Sequence, residues 1–222
     1  LADRMRVGHT AGSVLLNGQP RGKCFKRACG YVEQSDALFE QLTVREMLQF
    51  TAELRVGGAD PAAKAERVRR VIRELDLAKV ADSTIGGEST RGISGEQKRR
   101  VTVGVELVTQ PSVLFLDEPT TGLDAYSSLL LVRKLRALAD SGRTVLCTIH
   151  QPRPDIFALF DTLLLMSSGE IAYFGARNGI QPYLGGAGIP IPAGVNPADF
   201  VVDLTYSRDE ERVIDKLVAS WP

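Results

Sequence analysis

Apolar residues follow two rhythms along this chain. At 29–32, 112–116 and 143–149 they form short runs bounded by polar or turn residues, the pattern of buried strands. Between 43 and 108 they recur every three or four positions, the pattern of amphipathic helices. Residues 12–18 predict a further short strand, with a turn at Asn17-Gly18. The strand at 29–32 ends in the polar loop Glu33-Gln34-Ser35-Asp36. Thr43-Val44-Arg45-Glu46 reads as a capping box, and Val44, Met47, Leu48, Thr51 and Leu54 follow it at helical spacing. Asp60-Pro61 starts a second helix whose inner face is Val68, Val71, Ile72 and Leu75. Its outer face carries Lys64, Arg67, Arg69, Arg70 and Arg73, read as a solvated face, with contact to anionic lipid headgroups as the alternative.

A long helix is expected from Ser94 to about 108, and another from about 127 to 140. Between them the strand at 112–116 runs into Asp117-Glu118, and Pro119 and Gly122 then turn the chain so that Asp124 projects beyond it. Residues 143–149 predict a buried strand ending at His150, and 162–166 pairs with 170–174 as a hairpin. Asn196-Pro197-Ala198-Asp199 is a helix start, and 209–220 predicts a final charged helix. Strands alternating with helices give an α/β layered core, and the consecutive helices from about 40 to 108 read as an inserted helical lobe.

Composition adds exclusions. The chain has 222 residues, 27 Lys plus Arg against 27 Asp plus Glu, so no global basic field points to nucleic acid. Three cysteines argue against a disulfide framework and for a reducing compartment. Cys24 and Cys29 have no second pair to complete a zinc site. No apolar run reaches the ~18 residues that cross a bilayer. The chain opens at Leu1 without a lead-in, and is expected to be a piece of a longer protein.

The chemistry concentrates in Leu-Phe-Leu-Asp-Glu-Pro-Thr-Thr-Gly-Leu-Asp, residues 114–124. A buried strand that stops at paired acids delivers them to a sheet edge. One can hold a hard cation and the other can orient a water. Gln34 after a strand, Ile93-Ser94-Gly95-Glu96-Gln97 opening a helix, this acidic string, and His150 after a strand occur in that order.

Together these motifs resemble the nucleotide-binding domain of an ATP-binding-cassette (ABC) transporter. Gln34 matches the Q-loop, Ser94, Gly95, Glu96 and Gln97 the signature, Asp117 and Glu118 the Walker B pair, Asp124 the D-loop and His150 the switch histidine. Thr148-Ile149-His150-Gln151-Pro152 and Asn196-Pro197-Ala198-Asp199-Phe200 are similar to the G subfamily, of the white and pleiotropic-drug-resistance type. Half-size and full-size forms both fit, and the phrasing leans to half-size.

The resemblance implies an α/β fold: a P-loop NTPase (RecA-like) core with an inserted α-helical subdomain. The core spans 1–38 and 109–176, the helical subdomain 39–108, and an extension toward a membrane domain 177–222. It implies an ATPase that binds ATP and Mg²⁺ in a head-to-tail dimer with a second nucleotide-binding domain. That ATPase drives its own transmembrane domain from the cytoplasmic face of a membrane, to move lipid, sterol or xenobiotic. In those terms Asp117 holds Mg²⁺ with Gln34, and Glu118 is the general base. His150 donates to the γ-phosphate, and Ser94 to Gln97 reach ATP held by the other subunit.

Alternatives at this level are a soluble ABC ATPase acting on nucleic acid or ribosomes, and a non-hydrolysing regulatory module. Two departures from the family pattern stand out. Glu96 occupies a position where glycine is usual, so a carboxylate is expected to face the phosphate and weaken the site. No Gly-x-x-x-x-Gly-Lys-Ser/Thr loop occurs in these residues, so the chain alone is expected to bind ATP weakly and not to turn it over.

Overall fold

The computed structural model describes residues 11–22, 25–87, 90–167 and 169–206. The charged helix predicted at 209–220 lies outside them. The described chain forms two compact units, parting at Ile149/His150.

The first unit begins with an antiparallel pair, β1 (Leu15–Leu16) and β2 (Gln19–Pro20). Asn17 (φ 51°) and Gly18 (φ 76°) take the two left-handed positions that a tight hairpin turn requires. After the single turn α1 (Phe25–Ala28), β3 (Cys29–Val32) enters a parallel sheet with β4 (Val113–Leu116) and β5 (Thr144–Cys147), in the order β3-β4-β5. The register pairs Val32 with Leu116 and Leu116 with Cys147. All three strands therefore end on one rim.

Between β3 and β4 lie α2 (Val44–Arg55), α3 (Pro61–Glu74), the 3₁₀ turn Ala78–Val80 and α4 (Gly95–Leu107). The capping box at Thr43 forms as predicted, with Glu46 N donating to Thr43 Oγ1 and Thr43 N to Glu46 Oε2. Val44, Met47, Leu48 and Thr51 are buried, but Leu54 is 70% exposed. The inward stripe turns instead through Ala52, four residues after Leu48, because the α2 face drifts with the 3.6-residue turn. On α3 the predicted inner face is buried, Leu75 fully. Gly104 of α4 lies at the centre, where a Cβ would meet the side chains of Leu48, Val71 and Leu75 at 3.1–3.2 Å, so α4 packs closely there and a larger residue would require those side chains to shift by a few tenths of an ångström. One hydrophobic core runs through these helices, the sheet and Leu131, Leu135 and Leu138 of α5 (Ala125–Asp140).

The basic outer face of α3 is largely matched with acids. Arg69 and Arg73 meet Glu66, Arg70 meets Glu74, and Lys64 meets Glu53. Such surface pairs add little net stability, but they answer most of the charge locally. Two further expectations change. Helix α5 starts at Ala125, two residues early, because Asp124 caps it. The strand β5 alternates exposed and half-buried residues instead of being buried throughout. Among the described residues it forms the sheet edge.

The second unit contains α6 (Pro154–Phe157), the hairpin β6 (Thr162–Ser167) and β7 (Glu170–Ala176), α7 (Ile180–Gly186) and α8 (Pro197–Tyr206). Phe157, Ala172, Tyr173, Ile180, Leu184, Ala198, Val201 and Leu204 form its core. Asn196 Oδ1 accepts from Ala198 N at the start of α8, as the sequence predicts. No helix among the described residues is long and apolar enough to cross a membrane.

Replacing Leu75 by alanine removes a fully buried side chain from the junction of α3 and α4. The expected loss is about 2–5 kcal/mol of unfolding free energy. Chemical denaturation measures it, and a loss below about 1 kcal/mol would contradict the packing described.

Candidate active site at the sheet rim

The apolar run of β4 fixes where its acids go. Hydrogen bonding continues one residue beyond the strands, with Asp117 N donating to Val32 O at 2.9 Å and Thr148 N to Leu116 O at 3.1 Å. Asp117, Glu118, Thr148 and the Gln34 loop are thereby held at the carboxyl ends of parallel strands, where open α/β sheets bind ligands.

Side-chain hydrogen bonds join them. Gln34 Nε2 donates to Glu118 Oε2 at 2.9 Å, and Thr121 Oγ1 donates to the same oxygen at 2.9 Å. Asp117 accepts from Thr148 Oγ1 at 2.9 Å and from the Tyr31 hydroxyl at 3.2 Å. Thr148 Oγ1 in turn accepts from Glu118 N at 2.8 Å. Glu118 N–H, the Thr148 hydroxyl and the Asp117 carboxylate thus form one chain of hydrogen bonds. Glu118 adopts φ 42°, in the left-handed region that L residues avoid. Such backbone persists only where its surroundings over-determine it.

Of the sequence-predicted residues, the structure brings Gln34, Asp117 and Glu118 together. Ser94 and Gln97 pair with each other as a capping box at the start of α4: Gln97 N donates to Ser94 Oγ at 3.2 Å and Ser94 N to Gln97 Oε1 at 2.9 Å. Gly95 is exposed, with open space where a Cβ would lie. Asp124 lies exposed beyond β4, and it also caps the next helix. Its carboxylate accepts from Tyr126 N, Ser127 N and Ser127 Oγ as the N-cap of α5. The Ser127 donors hold its carboxyl below the ordinary value. The cap is therefore fully formed above that ordinary value and is lost only as pH falls through the lowered one. His150 follows Thr148 by two residues and is the first residue of the second unit.

Glu96 departs most from expectation. Its side chain is 8% exposed and turns inward, onto Arg100 Nη2 at 2.7 Å. Arg100 also donates to Leu75 O and Asp76 O at the end of α3. The carboxylate is therefore neutralised inside the helical bundle and does not confront a ligand at the exposed helix start. Glu96 Oε1 and Arg100 Nε, both buried, lack partners.

Tyr31, Thr121 and Thr148 were not anticipated. The signal for Tyr31 is its register opposite Phe115, two residues before Asp117, which puts both on one sheet face. Thr148 is the first residue past β5 on the same rim. Burial pushes the neighbouring Cys147 thiol up to about 11. The oxygen-rich set of Asp117, Gln34 and hydroxyls suits a hard cation such as Mg²⁺, which takes one or two carboxylates and completes its shell with water and phosphate oxygens.

A family model described as "ABC transporter" matches residues 4–121, and one described as "ABC-2 type transporter" matches residues 150–212. The chain belongs to the ABC transporter family. It is 45% identical, over 92% of its length and 31% of the relative, to "Broad substrate specificity ATP-binding cassette transporter ABCG2" of Rattus norvegicus. It is 46% identical, over 95% of its length and 34% of the relative, to "ABC transporter G family member 14" of Arabidopsis thaliana. This places the ABC chain in the G subfamily. It spans about a third of the length of these curated relatives. The solved structure titled "Structure of cbiO1 from clostridium perfringens: Part of the ABC transporter complex cbiONQ" superposes with a TM-score of 0.65 at 23% identity, over 77% of this chain and 68% of that one. The ABC ATPase fold, a P-loop NTPase type, is thereby shown.

Glu96→Ala leaves the Arg100 guanidinium buried without its carboxylate. The expected destabilisation is about 3–5 kcal/mol by chemical denaturation, with most of it recovered in a Glu96→Met, Arg100→Leu double variant. A neutral Glu96→Ala would show that the pair is not buried as described.

Proposed function

We propose that this chain is the ATP-hydrolysing domain of a G-type exporter. Residues 39–108 serve as its helical subdomain and 177–222 lead toward a membrane domain. The observation that carries the reading is the Gln34–Glu118 hydrogen bond beside Asp117 on one sheet rim, in a chain of this family. The match of residues 150–212 to an ABC-2 type transporter supports a membrane-domain partner in the same protein.

In this reading Asp117 and Gln34 would hold Mg²⁺, which would supply positive charge to neutralise the phosphates of ATP. Glu118, oriented by Gln34 and Thr121, accepts the proton of the attacking water. Thr148 holds Asp117 in place through its hydroxyl, leaving the second carboxylate to act on water. His150 donates to the developing negative charge. The start of α4, with Ser94, Gly95 and the Gln97 side chain, offers helix N–H groups to ATP held by a second nucleotide-binding domain. The capping box exchanges for that phosphate when the two domains close. Asp124 lies at the start of α5 near the same partner, and the closing and reopening of the pair drives export of lipid, sterol or xenobiotic across a membrane, with this domain on the cytoplasmic face.

In the intact transporter, Glu118→Gln is expected to lower ATP turnover by ~10²–10⁴-fold while MgATP binding is retained. Reconstitution with a phosphate-release assay checks this, and unchanged turnover would remove Glu118 from the base role. The 222 residues contain no Gly-x-x-x-x-Gly-Lys-Ser/Thr loop to supply the phosphate-cradling amides and lysine. Calorimetry on this chain alone should therefore detect no micromolar MgATP binding, and a micromolar affinity would contradict the assignment of the phosphate contacts.

A further inference from the structure

Arg99 follows the signature by two residues, and its side chain is only 3% exposed. All three guanidinium nitrogens are engaged. Nε donates to Pro119 O at 3.1 Å, and Nη2 to Asp117 O and Glu118 O at 3.3 Å each. Nη1 donates to Glu33 O at 2.8 Å and to Asp36 Oδ1 at 2.9 Å. Thr102, one turn along α4, donates to the same Asp36 oxygen at 2.7 Å. One cation on the signature helix thus holds the Glu33 carbonyl before Gln34, the Asp36 carboxylate after it, and the three consecutive carbonyls of the acid loop.

We infer that Arg99 is a positioning residue that ties the Gln34 loop and the Asp117–Glu118 loop to α4, so that the Gln34–Glu118 hydrogen bond forms only while the signature helix is in place. Two features carry this. The Glu118 backbone is in the left-handed region, and Arg99 Nη2 binds its carbonyl, which supplies the constraint that such a conformation needs. The partners are also spread over two loops, and only a planar fork of five N–H groups reaches them together. A lysine ammonium is a single point with three donors. The mechanical consequence is that any displacement of α4, by a ligand at its N-terminus, moves both catalytic loops in concert. Arg100, the next residue, fastens the same helix to the end of α3. Adjacent arginines therefore connect the helical lobe on one side and the rim on the other.

The inference rests on the ATPase reading only for its kinetic consequence. Hydrogen exchange on the intact transporter without nucleotide tests the tie directly. In Arg99→Met, amides at 33–36 and 117–121 should exchange at least ~10-fold faster together, while α3 keeps its protection. Unchanged exchange, or loosening of one loop alone, overturns the inference. If Arg99→Met loosens α3 as well, Asp36→Asn, which removes one acceptor and leaves the cation, should still loosen 33–36.

In the kinetic arm, Arg99→Met and Arg99→Lys should both lower kcat by ~10²-fold with KM for MgATP changed less than about threefold, because misplacement and not binding is affected. Gln34→Ala should then cost less in the Arg99→Met background than in the parent. Full activity in Arg99→Lys would show that charge alone suffices and would overturn the inference. If the parent itself hydrolyses no ATP, the functional reading fails while the exchange result still decides the tie.

Discussion

The parallel register of β3, β4 and β5 is the constraint from which the site follows. Because Val32, Leu116 and Cys147 stand side by side, the residues after them share one rim. Parallel pairing needs long crossovers, and in this chain those crossovers are the helices α2 to α4 and α5. The helical lobe is therefore the connection that brings residue 34 beside residue 118. Its packing around Gly104 places α4 against both the lobe and the sheet.

Polar groups are built into that packing at a few defined points. Glu106, buried on α4, accepts from Arg55 of α2 at 2.6 and 3.0 Å and from Tyr31 N of β3 at 3.2 Å. It links lobe and sheet through one carboxylate. Arg99 and Arg100 extend the same logic, and each guanidinium is answered mainly by backbone carbonyls. Buried charges of this kind add little net stability compared with apolar packing, but breaking one partner leaves an uncompensated ion. They specify one arrangement of helix and loops, and that arrangement is what a catalytic rim requires.

Membership of the G subfamily gives the rim its chemical context, and the chain's own contacts refine it. The family pattern assigns glycine where Glu96 stands. The structure shows that this carboxylate belongs to the interior of the bundle, paired with Arg100. The departure is structural in its contacts, and the exposed start of α4 retains Ser94, Gly95 and Gln97.

Much of this was legible in the chain itself, because local rules decided it. The capping box at Thr43, the helix start at Ser94, the Asn17-Gly18 turn and the Pro61 and Pro197 helix starts each depend on residues within one turn of each other. Apolar periodicity gave the inner faces of α2 and α3, and the order of motifs gave the acid pair. It failed where contact depends on partners far along the chain. Leu54 has helical spacing but no neighbour to cover it, and Glu96 reads as a free carboxylate until Arg100 is seen to bury it. Tyr31 and Arg99 lie outside the motifs, and Thr121 and Thr148 lie within them without a role that spacing reveals. Only the register of the sheet and the seat of α4 bring their polar atoms to the acid loop, since hydrogen bonds of about 3 Å demand positions that sequence spacing does not fix.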